Sequence, residues 1–135
     1  DACRARGIRI MRTTGSNAVQ VAEATVGLMI AVARRIVQAH IATVAGGWPK
    51  TEVWQRSVLV SGKTVGIVGL GAIGKAVAER LRGFDCTILY TSRNRLPPAE
   101  EEALGVQYRP LEALLAECDI LSLNCPLTPE TARMI

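Results

Sequence analysis

Aromatic residues and histidine are scarce in this sequence. Phe, Trp and Tyr together make up 4% of its 135 residues, so the hydrophobic core has to be built mainly from Ala, Val, Ile and Leu. Small and β-branched side chains of this kind suit helices that pack closely on a parallel sheet. The single histidine, His40, excludes a zinc site built from several histidines.

Paired cysteines, a secretion signal and a long apolar run are also missing. The N-terminal stretch has no apolar segment of the signal-peptide kind. The most apolar run, Ala24–Ala33, is about ten residues long, whereas a membrane span needs roughly twenty. The absence of a C-x-x-C pair favours reduced thiols over disulfides or a metal site. The sequence therefore predicts a cytoplasmic protein with no metal site and no membrane contact. Its cysteines are Cys3, Cys86, Cys118 and Cys125.

The charged residues show no concentration of one sign. The net charge is +4, but the Lys and Arg residues are scattered and no aromatic residues lie among them. This distribution is typical of an ordinary solvated surface and argues against nucleic acid as a partner. A local pair, Arg93 and Arg95, is more informative than the total.

The first third of the chain predicts a short strand and one long helix. Gly7–Met11 is apolar enough for a strand. From Ala18 to about Ala45, apolar residues recur at three- and four-residue steps, which indicates a helix. Ser16 or Asn17 would cap that helix through its side-chain oxygen. Residues 50–61 are mixed in character and are predicted to form a loop.

The remainder alternates between strand and helix patterns, which predicts parallel β-α-β units. The expected fold is α/β, a Rossmann-type doubly wound parallel sheet, with right-handed crossovers and strand order 3-2-1-4 as the default. The predicted strands are Lys63–Val68, Cys86–Thr91, Val106–Tyr108 and Asp119–Cys125. The predicted helices are Ala72–Arg82 with Gly83 ending it, a short one within Leu96–Gly105, Pro110–Cys118 with Pro at its first position, and one that opens at Leu127.

A glycine-rich turn follows the first strand of the predicted sheet. Gly69, Gly71 and Gly74 form G-x-G-x-x-G, with Leu70 inside the motif, after an apolar strand and at the start of an amphipathic helix. In a dinucleotide site the first glycine makes the tight turn, the second lets the backbone approach a pyrophosphate, and the third allows helix and strand to pack. The backbone N–H groups of Ala72 and Ile73 would then face the phosphates. A strand–helix turn without a ligand is the alternative.

An acidic residue is missing where a site for NAD usually has one. An Asp or Glu at the end of the second strand binds the ribose 2′-hydroxyl of NAD, but no acid lies between Asp85 and Glu100. Ser92, Arg93 and Arg95 stand there instead. A hydroxyl can donate to a 2′-phosphate and a guanidinium can bind it bidentately, so the sequence favours NADP(H). NAD(H) stays possible if both arginines are merely solvated.

Four stretches together resemble the D-isomer-specific 2-hydroxyacid dehydrogenases. They are "NAVQVAEATVGLMIAVARRI", "GGWP", "GKTVGIVGLGAIGKAVAERLRGF" and "LEALLAECDILSLNCPLTPETARMI". The ending "YTSRNR" is most similar to the NADP-preferring hydroxypyruvate and glyoxylate reductases of that family. Asp85 departs from the family, which usually has Gly there, and we expect this departure to cost little.

The resemblance implies a domain organisation and an activity. Residues 1–12 would be the end of a substrate-domain segment, and residues 13–135 a nucleotide-binding Rossmann domain that is incomplete at its C-terminal side. The implied reaction is the reduction of a 2-oxo acid by NADPH. The family's catalytic Arg, Glu and His would lie beyond Ile135, so no catalytic residue is predicted and the chain alone is expected to bind cofactor without turnover.

The resemblance also implies binding residues beyond the glycine motif. The backbone of Asn124, Cys125 and Pro126 would line the nucleotide crevice. Thr131, in the helix after them, would touch the cofactor, and Thr25 would lie near its nicotinamide half. For both threonines, a hydroxyl bonded to its own helix backbone is an equal alternative.

The same resemblance gives the region of residues 18–45 a role in a homodimer, although a helix buried within one chain fits as well. Three other interpretations of the chain stay open. The chain could belong to an NAD(H)-dependent phosphoglycerate or lactate dehydrogenase, or to a dinucleotide-sensing corepressor. It could also be a truncated product, since its fourth strand would leave an apolar edge to be covered.

Overall fold

A four-stranded parallel sheet forms the centre of the molecule in the computed structural model, which describes residues 2–11 and 13–135. Its strands are β1 (Thr64–Val68), β2 (Thr87–Thr91), β3 (Val106–Tyr108) and β4 (Ile120–Leu123). Their order across the sheet is β3-β2-β1-β4, and every pair is parallel. Both the α/β class and the strand order predicted from the sequence are confirmed.

Seven α-helices accompany the sheet in the described residues. They are α1 (Ala2–Ala5), α2 (Ala18–Ala33), α3 (Ile36–Val44), α4 (Lys50–Arg56), α5 (Ala72–Leu81), α6 (Pro98–Leu104) and α7 (Leu111–Glu117). A short 3₁₀ helix, Arg82–Phe84, continues α5. Helices therefore fill the connections between all consecutive strands, as right-handed crossovers require.

The core lies on both faces of the sheet. On one face, α2 and α5 pack against the strands with small residues such as Ala22 and Ala78, both 0% exposed. On the other face, Leu114 of α7 packs against Val68 and Leu89. These small side chains let helices approach the sheet closely, which is how a chain with few aromatics forms a core.

Strand register brings the carboxyl ends of three strands together. Val68 is paired with Thr91 of β2 and with Leu123 of β4. The backbone bonds continue one residue further, since Gly69 N–H donates to the Thr91 carbonyl at 2.8 Å and Asn124 N–H donates to the Val68 carbonyl at 2.7 Å. The segments that follow β1, β2 and β4 therefore start side by side at one edge.

The single helix predicted from Ala18 to about Ala45 is wrong in its middle. The chain breaks there into α2 and α3, which are inclined by 66°, and Arg35 takes a left-handed φ of 55°. The carbonyl of Ala33 accepts the Val58 N–H at 2.8 Å. A distant segment thus satisfies the end of α2, and since no Gly or Pro stands at the break, the sequence pattern gave no sign of it.

Three other predictions in the first half fail. Gly7–Met11 forms no strand, because an isolated strand has no neighbour for its backbone groups. The predicted loop at residues 50–61 contains α4. Asn17 occupies the N-cap position of α2 but makes no side-chain capping bond, and the hydroxyl of Ser16 donates to the Thr13 carbonyl instead.

Helix ends differ from the prediction in the second half. Gly83 does not end α5, because the 3₁₀ turn carries the chain past it and Asp85 takes the left-handed conformation with a φ of 50°. Pro110 is the N-cap of α7 rather than its first residue. The helix predicted from Leu127 is absent, and Pro129–Arg133 forms turns only.

In the part of the chain that the structure describes, no single helix is long and apolar enough to cross a membrane. The bent pair of α2 and α3 reaches the required length and composition only when taken together.

Candidate functional site: the glycine loop and its cleft

The surroundings of a Cβ atom differ among the three glycines that follow β1. Gly69 has a φ of 93°, and a Cβ there would lie 2.8 Å from the Asn124 carbonyl oxygen. Gly74 is buried, and its Cβ would overlap the carbonyl oxygen of Gly69. A Cβ on Gly71 would meet nothing within 4 Å. Packing explains the first and third glycines, whereas the space beside Gly71 is open for a ligand.

Helix α5 begins beside this open space and has free N–H groups in its first turn. Gly71 is the N-cap and has no side chain to cap the helix. The N–H of Lys75 donates to the Gly71 carbonyl at 2.9 Å, so the amides of the three residues before it have no partner within the helix. Ala72 is exposed and Ile73 is half-buried. Such a helix start is suited to an anion.

A cleft of about 490 Å³ opens beside the glycine loop, at the carboxyl edge of the sheet. Its walls come from the segments after β1, β2 and β4, as the register requires. Nine of the predicted site residues line it: Gly69, Leu70, Gly71, Ser92, Arg93, Asn124, Cys125, Pro126 and Thr131. Five do not: Ala72, Ile73 and Gly74 belong to the first turn of α5, which follows the loop, and Arg95 and Thr25 lie elsewhere.

Ser92 and Arg93 line the cleft, and neither bonds to another side chain among the described residues. Across the residues that the structure describes, Arg93 takes part in no ion pair within 4.0 Å. Arg93 is exposed and Ser92 is half-buried. The guanidinium and the hydroxyl are therefore available to an anion entering the cleft.

An acid that sequence reasoning missed shares this cleft. Glu130 lines its rim, in the turn after β4. Hydrogen bonds from Thr128 and from its own backbone amide lower the pKa of Glu130, and the charge of Arg93 lowers it further. Glu130 lies far from the end of β2 in the sequence, so the local pattern around β2 gives no sign of it, and the turn after β4 brings it to the cleft.

Arg95, predicted to face the ribose, is turned away from the cleft. Its Nε and Nη2 donate to the two carboxylate oxygens of Glu101 at 2.9 and 3.0 Å. Its guanidinium carbon also lies 5.1 Å from the centre of the Tyr108 ring. The structure thus separates the two arginines: Arg93 faces the cleft, and Arg95 is bound within the protein.

The two predicted threonines have bonded hydroxyls. Thr131 lines the cleft, but its Oγ1 donates to the Pro126 carbonyl at 2.7 Å and accepts the Thr128 N–H at 2.7 Å, so it holds the turn together. Thr25 donates to the Val21 carbonyl of its own helix at 2.8 Å. It lines a separate cavity of about 780 Å³ beside β4.

Two of the four thiols have little thiolate character. Burial raises the pKa of both Cys86 and Cys118, so each stays protonated at neutral pH. Cys125 lines the cleft with its Sγ 3.8 Å from the Met134 sulfur. Over residues 2–11 and 13–135, all four cysteines are free and no cluster of possible metal ligands occurs.

Residues 26–135 match the family model described as D-isomer specific 2-hydroxyacid dehydrogenase, NAD binding domain. The chain belongs to this family. The match includes the glycine loop, β2 and the turn that carries Glu130. It accounts for the fold and identifies the cleft as part of a domain that binds a pyridine nucleotide.

Among curated relatives, the chain is 45% identical to a glyoxylate reductase of Thermococcus litoralis, over 96% of this chain and 40% of the relative. It is also 42% identical to a formate dehydrogenase of Chaetomium thermophilum, over 93% of this chain and 34% of the relative. Both names describe oxidoreductases. The chain thus spans about 40% or less of the length of these relatives.

Solved structures give the same result. A formate dehydrogenase from Granulicella superposes with a TM-score of 0.87 and 37% identity, over 96% of this chain and 35% of that one. An apo D-mandelate dehydrogenase from Rhodotorula graminis superposes with a TM-score of 0.89 and 26% identity, over 100% of this chain and 41% of that one.

Proposed function

We propose that this chain binds NADP(H) as part of an oxidoreductase that reduces 2-oxo acids of the glyoxylate or hydroxypyruvate type to D-2-hydroxy acids. The observation that carries cofactor binding is the open space at Gly71, which faces unpaired amides at the start of α5. The observation that favours NADP(H) is the pair Ser92 and Arg93 in the same cleft. The names of the reductase relatives support the substrate class.

The residues of the glycine loop would hold the pyrophosphate. The backbone can approach closely because Gly71 has no side chain, and the amides of Ala72 and Ile73 supply donors at the positive end of α5. Gly69 and Gly74 contribute indirectly, since they fix the turn and the helix position. The backbone of Asn124, Cys125 and Pro126 forms the facing wall.

Ser92 and Arg93 would hold the ribose end. A 2′-phosphate is a strong acceptor that a guanidinium can bind through two N–H groups. The carboxylate of Glu130 repels such a phosphate and attracts Arg93 at the same time. We expect the phosphate to prevail at Arg93, because it carries more negative charge than a carboxylate and Arg93 has no ion pair with Glu130 within 4.0 Å among the described residues.

When bound, the nicotinamide supplies a hydride, and the protein supplies binding and orientation. The residues of this chain do only the second. His40 is exposed on α3, away from the cleft, so we assign it no part in proton transfer. The isolated chain is expected to bind nucleotide without turning over a 2-oxo acid.

Calorimetric titration with NADPH and with NADH tests the proposal. We expect NADPH to bind at least about tenfold more tightly, and Arg93→Ala to weaken NADPH by at least about tenfold while leaving NADH within about twofold. Arg56→Ala is the matched control, because Arg56 is an exposed arginine of α4 outside the cleft. Equal affinities that Arg93→Ala does not change would contradict the assignment.

NAD(H) is the second candidate, and Glu130 is the observation that favours it. A carboxylate on the cleft could accept a hydrogen bond from a ribose 2′-hydroxyl. If this were its role, NADH would bind more tightly than NADPH, and Glu130→Gln would weaken NADH in the same titration.

We also propose that a second copy of the chain covers the apolar surface of α2, α3 and the segment around α4. The prediction of a homodimer was made for residues 18–45, which form α2 and α3 instead of one long helix. Its members are large and exposed: Val32 by 76%, Val44 by 74%, Trp48 by 82% and Trp54 by 74%. Sedimentation of the chain should show a dimer, and Trp48→Glu should shift it to monomer. A parent chain that sediments as a monomer would contradict the proposal.

A further inference from the structure

Four side chains form a bonded cluster directly behind the loop that carries Ser92 and Arg93. Tyr90 comes from β2, Arg95 from the loop, Glu101 from α6 and Tyr108 from β3. We call them the Glu101 cluster, because Glu101 accepts bonds from two of the other three. Tyr90 and Tyr108 also meet edge to face, with ring centres 5.6 Å apart.

The contacts of Glu101 are short and few of its atoms meet solvent. Its Oε1 accepts the Tyr90 hydroxyl at 2.7 Å and Arg95 Nε at 2.9 Å, while its Oε2 accepts Arg95 Nη2 at 3.0 Å. Its side chain is 13% exposed. Arg95 and Tyr90, in that order of importance, lower the pKa of Glu101, so it is ionised at neutral pH.

Tyr90 links this cluster to the loop backbone. It is fully buried, and its oxygen accepts the Leu96 N–H at 2.8 Å while the same hydroxyl donates to Glu101. At the other end of the loop, the Thr91 carbonyl accepts the Gly69 N–H at 2.8 Å. The loop is therefore tied to the glycine turn at its start and to the Glu101 cluster at its end.

The start of this loop faces the cleft, and its end does not. Ser92, Arg93 and Asn94 line it, whereas Arg95 is held on the far side by Glu101. We propose that Glu101 is a positioning residue for cofactor selectivity: by holding Arg95 and Tyr90, it fixes the loop in the conformation that presents Ser92 and Arg93 to the 2′-phosphate. This inference rests on the proposed function, since it concerns the same cleft.

The test compares Glu101→Gln with Glu102→Gln by calorimetric titration. Glutamine keeps the size of the side chain but loses the charge that holds Arg95. Glu102 is the matched control, because it is exposed on the same helix and lies outside the cluster. We expect Glu101→Gln to weaken NADPH by about five- to twentyfold, to leave NADH within about twofold, and Glu102→Gln to change neither.

Coupling to Arg93 separates positioning from general damage. In an Arg93→Ala background, Glu101→Gln should have no further effect on NADPH, because it acts through Arg93. Tyr90→Phe keeps the buried ring but removes the hydroxyl, and should give a smaller loss with the same coupling. It takes the place of Glu101→Gln if thermal melting shows that variant to be unfolded.

The outcomes also separate the inference from the proposed function. If Arg93→Ala abolishes the NADPH preference but Glu101→Gln does not weaken NADPH, only the inference fails. If Glu101→Gln weakens both nucleotides equally, or tightens NADPH by releasing Arg95 as a ligand, the inference is likewise overturned. If the parent chain binds neither nucleotide, or Arg93→Ala changes nothing, the proposed function fails and the inference with it.

Discussion

The amino and carboxyl edges of the β-sheet differ in whether their charged groups and glycines contact other parts of the protein. At the amino edge, before β1 and β4, Asp119 accepts Lys63 Nζ at 3.1 Å and the Thr64 N–H at 2.9 Å. At the carboxyl edge, Arg93 has no ion pair within the described chain and Gly71 faces open space. The groups at the amino edge bond to one another within the protein, whereas Arg93 and the space at Gly71 stay open at the carboxyl edge. Changes at the amino edge should therefore alter stability, and changes at the carboxyl edge should alter binding.

The largest effect that would test this comparison is expected at Gly71. Gly71→Val places a side chain where a pyrophosphate would approach the backbone, so both NADPH and NADH should bind at least about a hundredfold more weakly. The chain should still fold, because apart from residue 71 and its two chain neighbours no described atom lies within 4 Å of the added Cβ. Valine is a weaker N-cap residue than glycine and should lower the melting temperature slightly. Titration and thermal melting of one preparation measure both quantities.

A second glycine provides the control for that experiment. Gly83 also has open space around a built Cβ, but it lies in the 3₁₀ turn before β2, at the opposite edge. Gly83→Ala should change neither affinity. A binding loss at Gly83 equal to that at Gly71, or a folded Gly71→Val chain with normal affinity, would break the comparison between the edges.

A smaller effect, on the free energy of unfolding, is expected at Asp85, which ends the 3₁₀ turn that contains Gly83. Its φ of 50° is a conformation that a glycine adopts without strain. Asp85→Gly should raise the free energy of unfolding by about 0.5–1 kcal/mol, the relief of strain being partly offset by the greater freedom of glycine in the unfolded chain. Urea denaturation measures this change, and nucleotide affinity should not move.

Asp85→Ala separates backbone strain from the loss of the carboxylate. Alanine removes the same charge but keeps a Cβ at the left-handed position, so it should not stabilise the chain. Stabilisation by both variants would show that the charge, and not the backbone, is responsible. This result also tests the expectation that Asp85 costs little. Asp85 lies in a turn, and its left-handed backbone adds a cost that a turn alone does not imply.

The sheet could be predicted because each of its strands has a local signal. Apolar runs bounded by glycine, proline or polar residues predict β1 to β4, and the order 3-2-1-4 is the default for a Rossmann-type sheet with right-handed crossovers. The glycine motif could be predicted for the same reason, since the strand before it and the helix after it lie next to it in sequence.

What could not be predicted depends on contacts between distant segments. The break between α2 and α3 is stabilised by Val58, and Arg95 is directed by Glu101 and Tyr108. Glu130 reaches the cleft only because β4 lies beside β1. In each case the local sequence pattern is compatible with two structures. A contact with a residue distant in the sequence, which periodicity does not reveal, decides between them.

The different reasons for the three glycines bear on how sequences related to this one can be interpreted. A chain that has lost its ligand but kept its architecture still requires glycine at the positions of Gly69 and Gly74, where a Cβ would meet backbone atoms. It has no such requirement at Gly71. We therefore expect a domain that has lost nucleotide binding but kept its fold to have the two outer glycines and a bulky residue in place of the middle one. Among the three glycines, only the middle one therefore distinguishes a chain that still binds nucleotide from one that has kept the fold alone.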